Sequence, residues 1–402
     1  MTCGDSVDYC GLYIHIPFCL RKCSYCDFAS YKVDSYDTSR YCDAVVREIE
    51  LIFFGDDRVC GHGDSLFAAG AAGLVPDTVY IGGGTPTVLP VDQLAKVIKA
   101  AKRATMCSGR LDREIELTVE ANPGTLTAEY LLTLRELGVN RLSIGLQSTS
   151  DKYLSMLGRV HSYRDFVESY RLAALAGFQN ISVDLIYGLP GQSLKEWRED
   201  LTKVTELAIP HVSCYSLTLC EGTPMFDNVT AGRLKEPPED LVADMYFEAV
   251  STLTKSGYSH YEISNYALPG MECRHNLGYW ENRYYIGIGA AAHSHLKGFR
   301  CANTADVGKY IDRIEAGVLG PEYVESISRR RELSDSFILG LRTAAGVDIE
   351  ELSRRFSPEA VAEFTRSIEE FADVGLVEFA NGRVRLTERG MILSNEVMAK
   401  LL

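Results

Sequence analysis

No run of apolar residues in this chain approaches the length of a bilayer-spanning helix, which argues against an integral membrane protein. The opening MTCGDSVDYCG has no basic stretch followed by an apolar one, so no secretory signal peptide is expected. Positive charge is in deficit: 41 Lys+Arg stand against 55 Asp+Glu, a net charge of -14. That balance argues against the broad basic surface that nucleic acid binding requires. Twelve cysteines over 402 residues are too dilute for a disulfide scaffold. There is no internal repeat and no low-complexity tract. What is present, 46% hydrophobic and 24% charged residues, is a globular composition. The length suits one barrel-sized domain and a smaller one. A reducing cytoplasmic setting is expected, with peripheral membrane association left open.

Short β-rich runs alternate with helical patterns through the first three quarters. Residues 12–16, 77–83, 114–121, 140–147, 180–188 and 211–219 read as buried strands. Helical segments such as 127–138 and 162–178 lie between them and end near glycine. Six strands joined in this way predict an α/β fold, a partial (β/α)6 barrel with a parallel sheet. Barrels of this kind place their chemistry on loops at the carboxyl ends of strands. CLRKC, GGTP, EANPG, GLQS and GLPGQ all fall there. The Gly/Ala-rich segment 54–76 reads as a loop insertion. A change of texture near residue 300 divides the chain into 1–300 and 301–402. The second part is helix-rich and closes on two short strands around Asn381-Gly382, a strong hairpin signal. A helical, winged-helix-like domain is expected, acidic enough to favour a structural or docking role over DNA binding.

Cys19, Cys23 and Cys26, in HIPFCLRKCSYCDF, place three thiolates in one loop. A [4Fe-4S] cluster takes one ligand per iron, so three cysteines leave one iron open to a small molecule. The competing reading is a structural zinc loop, which would need a fourth ligand and usually pairs its cysteines in two separated halves. GGGTPTVL (82–89) supplies glycines that let backbone approach a ligand, although a tight turn needs the same residues. Glu120 and Asp184 are carboxylates inside apolar strands, and each needs a partner.

Taken together, HIPFCxxxCxYCDF, the glycine triplet and the strand-end motifs resemble the radical S-adenosylmethionine (SAM) superfamily. Within it they are similar to the branch of oxygen-independent coproporphyrinogen III dehydrogenases and HemW-type heme chaperones. The resemblance covers residues 12 to about 300, and the C-terminal part more loosely. It implies that Cys19, Cys23 and Cys26 ligate the cluster and that Tyr13 packs beside it. It further implies that Phe28, Gly84, Thr85, Glu120, Gln147, Arg159 and Asp184, with Tyr13, contact SAM. The pattern YIGIGAAAHS (285–294) superficially fits a dinucleotide fingerprint, but that fingerprint should open a first βαβ unit. It instead resembles the branch's barrel-closing segment.

Three features separate chaperone from dehydrogenase. Phe28 stands where the dehydrogenases carry an additional cysteine. Only 18 residues precede Cys19, fewer than their usual extension. CRHNLGYW (273–280) carries the His-Asn-x-x-Tyr-Trp motif of the HemW type. His275, Asn276, Tyr279 and Trp280 are therefore expected at a heme site, with His275 or Cys273 as axial ligand. The resemblance implies a heme-binding protein that delivers heme, or another porphyrin, to an acceptor hemoprotein. The alternatives are a dehydrogenase converting propionates to vinyl groups, or a tailoring enzyme acting on a non-porphyrin substrate. Whether SAM is consumed stays open.

Overall fold

The computed structural model describes residues 8–55, 67, 70–106 and 114–402. Six strands, β1 (Asp8–Ile16), β2 (Leu74–Gly83), β3 (Glu116–Ala121), β4 (Arg141–Gln147), β5 (Asn180–Tyr187) and β6 (His211–Ser216), lie side by side in chain order. All five pairings between them are parallel. Helices intervene as expected. Thr38–Phe54 starts on the Asp37 cap, and Tyr163–Leu175 and Leu194–Glu206 each open with a complete capping box. Gly138 and Gly177, both at positive φ, end two of the intervening helices.

The sheet is larger than six strands. β7 (Ser259–Glu262) and β8 (Asn265–Ala267) extend it beyond β6. On the other side, β9 (Tyr285–Ile288) pairs parallel with β1. β10 (His293–Leu296), β11 (Phe299–Ala302) and β12 (Tyr323–Ser326) then continue antiparallel. The order across twelve strands is β12-β11-β10-β9-β1-β2-β3-β4-β5-β6-β8-β7, a partial barrel. A seventh parallel strand, β9, thus joins the six expected. β11 runs across residue 300, and the sheet continues to Ser326. The expected insertion 54–76 lies mostly outside the described residues, although Leu74–Pro76 begins β2.

The C-terminal part has the helix-and-hairpin form expected. Helices Arg329–Gly340, Ile349–Arg355 and Pro358–Ser367 precede a three-stranded antiparallel sheet's hairpin. That sheet comprises β13 (Val347–Asp348), β14 (Val377–Ala380) and β15 (Arg383–Leu386), in the order β13-β15-β14. Asn381 and Gly382 both take positive φ, as a two-residue hairpin turn requires. The module docks on the barrel through backbone: Ile263 N–H donates to Arg342 O (2.9 Å) and Ala344 N–H to Tyr261 O (3.0 Å). Among the described residues no helix is long and apolar enough to cross a membrane.

Candidate cofactor site

Parallel strands covered on both faces usually read as continuous apolar runs. Here, along β3 to β6, polar residues instead recur at most alternate positions. Side chains alternate faces along a strand, and register lines up Glu120, Ser143 and Ser182 as neighbours, with Asp184 beside Ser213. The result is a cavity of about 380 Å³ inside the barrel, with polar and charged side chains on its walls. Tyr80, Glu120, Arg141, Gln147 and Asp184 line its walls, and Tyr25, Cys26 and Phe28 its mouth.

The cysteine loop leaves β1 through the short strand Phe18–Cys19, which pairs with Tyr31–Lys32. Gly84 holds this loop against β2. Its N–H donates to Ile16 O (2.9 Å), and Thr85 N–H donates to Phe18 O (2.7 Å). These amides are therefore committed to the loop, and the glycine motif serves first as its seat. Cys19 Sγ lies 3.6 Å from Thr85 Oγ1. Burial pushes the Cys19 and Cys26 thiols above their ordinary pKa.

Arg159 joins the cluster loop to the cavity. It donates to Cys23 Sγ (3.5 Å), to Gly145 O (2.7 Å) and to Asn122 Oδ1. Asn122 in turn donates to Thr85 Oγ1 (2.6 Å). Arg159 Nε is buried and has no partner among the described residues. Gln147 has φ 74 and follows a bulge between Gly145 and Gln147. A non-glycine residue held there is strained, as is frequent at ligand sites.

Glu120 accepts from Tyr80 OH (2.8 Å) and Gly83 N–H (3.0 Å). Burial nevertheless raises its pKa to about 7, with Asp184 adding to the rise. Asp184 is raised by burial too, and Ser143 Oγ lies 3.4 Å away. A Cβ on Gly82 would stand 2.6 Å from the Glu120 carboxyl carbon, so only glycine fits that carboxylate's position. Tyr13 OH is bonded to His15 Nδ1 (2.9 Å), and its ring stacks on Tyr80.

The CRHNLGYW segment lies at the opposite end of the barrel. Its helix, Arg274–Trp280, packs beneath β1 and β2 as a floor. Glu116 caps it, accepting from Arg274 N–H and His275 N–H at 2.9 Å each. Glu116→Ala should lower unfolding free energy by about 1–3 kcal/mol, because two buried donors lose their acceptor. An unchanged urea midpoint would show that the carboxylate does not hold the helix.

His275 is buried, and both its nitrogens are committed: Nδ1 to Thr78 Oγ1 and Nε2 to Tyr279 OH, each at 2.9 Å. Burial, with Arg283 and Arg141 nearby, lowers its pKa to about 3. In this arrangement neither nitrogen is open to iron. Cys273 is equally enclosed, its thiol 3.6 Å from Glu116 Oε1 and pushed up to about 12 by burial. The four residues of the motif separate: Asn276 faces the barrel cavity, His275 and Tyr279 bond each other, and Trp280 faces outward to a second cavity.

The site as observed fits an iron–sulfur cluster with SAM. Cys26 stands at the mouth with Cys19 and Cys23 on the same loop, a guanidinium nitrogen with no partner among the described residues can meet a carboxylate, and two buried acids can meet an ammonium or hydroxyls. Sequence reasoning missed Tyr80, Asn122, Arg141 and Ser143. The alternation of polar residues along β3 to β6 was the available signal.

The radical SAM superfamily model matches residues 13–204, and the HemN C-terminal domain model matches residues 327–393. A "Heme chaperone HemW" of Bacillus subtilis is 37% identical, covering 97% of this chain and 98% of that protein. One of Lactococcus lactis is 36% identical, covering 97% and 96%. Among solved structures, the radical SAM enzyme coproporphyrinogen III oxidase (HemN) of Escherichia coli has a TM-score of 0.78 at 22% identity, covering 98% of this chain and 90% of that one. That likeness is one of fold.

Proposed function

The chain belongs to the HemW family of radical SAM proteins, and on that premise we propose that it is a heme chaperone. In this reading it holds a [4Fe-4S] cluster with SAM at the barrel mouth and carries heme to an acceptor hemoprotein. The observation that carries the cofactor part is the Cys23–Arg159–Asn122–Thr85 chain, which ties cluster loop, glycine motif and cavity into one unit. Held by Cys19, Cys23 and Cys26, a cluster would supply one-electron reducing chemistry to SAM bound beside it.

The chain's own residues bind and shield. Cys19, Cys23 and Cys26 ligate iron, and Arg159 faces the SAM carboxylate with its spare nitrogen. Glu120 and Asp184 accept from the ammonium or ribose, and Gln147 closes the wall. Tyr13 packs behind the site, and Phe28, 64% exposed, covers its rim. We assign cofactor binding to the barrel, whose sheet runs past residue 300 to Ser326, and partner docking to the helical module that follows it. The reducing cytosol is the setting in which such a cluster persists.

Glu120 gives this reading a pH signature. In the folded chain it keeps its proton to about pH 7, against an unfolded value near 4.3. The folded state therefore binds the extra proton between those values, and its contribution to stability is lost as pH rises through that window. SAM binding runs the other way, because an ammonium needs the carboxylate. Affinity should rise between about pH 6 and 8 in the wild type and stay flat in Glu120→Gln. Anaerobic equilibrium dialysis reads both profiles; a flat wild-type profile would remove Glu120 from the SAM contacts.

The deciding experiment incubates reconstituted protein anaerobically with SAM, reductant and coproporphyrinogen III. The chaperone reading expects no protoporphyrinogen. Its appearance with matching 5′-deoxyadenosine would make the chain a dehydrogenase.

A further inference from the structure

Deep in the barrel cavity stands a charge that the SAM contacts leave unused. Arg141 opens β4, lines the cavity and is only 2% exposed. Its Nε is buried and has no partner among the described residues. A guanidinium taken out of water without a paired acid is costly, so its position calls for an anion.

The acids of the barrel are committed elsewhere. Glu116 accepts from Arg274 N–H and His275 N–H and lies 3.6 Å from the Cys273 thiol. Glu120 accepts from Tyr80 OH and Gly83 N–H, and Asp184 lies beside Ser143. All three act on Arg141 through space, without a hydrogen bond.

Beside Arg141 is a second unmet group. Thr118 of β3 is its register partner and is fully buried, and its hydroxyl has no partner among the described residues. Thr118 lies two residues before Glu120 and shares its inward face.

Depth separates this spot from the SAM contacts. Arg141 precedes Ser143, the neighbour of Glu120, by two residues, which places it about 7 Å nearer the floor. Cys273 and Glu116, which act on its charge, belong to that floor. The groups acting on Arg159 are instead Tyr25, Cys23 and Cys19, on the cluster loop.

We propose that the floor of the barrel cavity is a second anion subsite, where Arg141 and the Thr118 hydroxyl hold the carboxylate of a small organic acid bound beneath SAM. One guanidinium and one hydroxyl match the single charge and two oxygens of a carboxylate better than a phosphate dianion. The assignment rests on the reading above in which Arg159 takes the SAM carboxylate.

The test titrates the reconstituted full chain, with SAM present, with butyrate, its neutral amide butyramide and inorganic phosphate at constant ionic strength, by calorimetry. The wild type should bind butyrate in preference to the other two. Arg141→Gln should weaken butyrate binding about tenfold or more and leave SAM affinity unchanged by equilibrium dialysis; Arg159→Gln should do the reverse. Thr118→Val keeps the side chain's shape without its hydroxyl. It should weaken butyrate severalfold, and it decides the matter if Arg141→Gln fails to fold. No butyrate binding, equal binding of acid and amide, or unchanged butyrate affinity in either variant overturns the subsite. Tighter binding of phosphate overturns the carboxylate class. Loss of SAM in Arg141→Gln would make Arg141 a SAM contact and overturn the subsite as well. A wild type that binds butyrate but no SAM keeps the subsite and overturns the SAM reading alone.

Discussion

Alanine at Cys19, Cys23 or Cys26 should yield a folded but colourless protein. Iron after anaerobic reconstitution is expected to fall from about four per chain to background, with circular dichroism unchanged. The loss should be near total, because each thiolate serves a different iron and the loop has no spare. Folding should survive because all three side chains are only partly buried and sit outside the apolar core. Cys42 provides the contrast. It is fully buried in that core. Cys42→Ala should keep full iron while costing about 1 kcal/mol of stability. Full iron in any of the three loop variants would defeat the ligand assignment.

Gly84→Ala should be nearly as damaging, for a purely steric reason. The backbone of Gly84 is not in a left-handed conformation, so alanine suits its dihedral angles. A Cβ there would, however, stand 2.6 Å from Phe18 O and 2.8 Å from Ile16 O and Phe18 N. Those atoms are backbone and cannot rotate away. The cysteine loop must shift, with an expected loss of about 1–3 kcal/mol and poor retention of iron. Gly124→Ala separates space from strain: Gly124 has φ +85 but nothing within 4 Å of an added Cβ. It should cost about 1–2 kcal/mol and leave the cluster intact. Denaturant midpoints and iron content of the two variants test this, and equal iron retention would refute the steric account.

Much of this was legible in the chain because it is local. Each central strand was readable from its own residues, as were the cysteine loop and the Asn381-Gly382 turn. Other features needed the tertiary partner. Arg141 looks like the start of an ordinary buried strand; only the register of the sheet places it in the cavity with Glu120 and Asp184. β13 is two residues long, too short for any pattern. The His-Asn-x-x-Tyr-Trp segment was ambiguous because the same residue types suit a porphyrin contact or a packed floor. Gly11 helps settle His275 in the floor, since a Cβ there would stand 3.0 Å from the imidazole.

The placement of β1 has a consequence for the order of events during synthesis. The strand leading to the cysteines is made first, yet it lies between β2 and β9. One of its edges has no partner until residues 285–288 have left the ribosome. Long-range pairing of this kind is slow to form. A nascent chain therefore displays its three thiols on an unfinished support for most of its translation, and metal loading belongs after the chain has closed on itself.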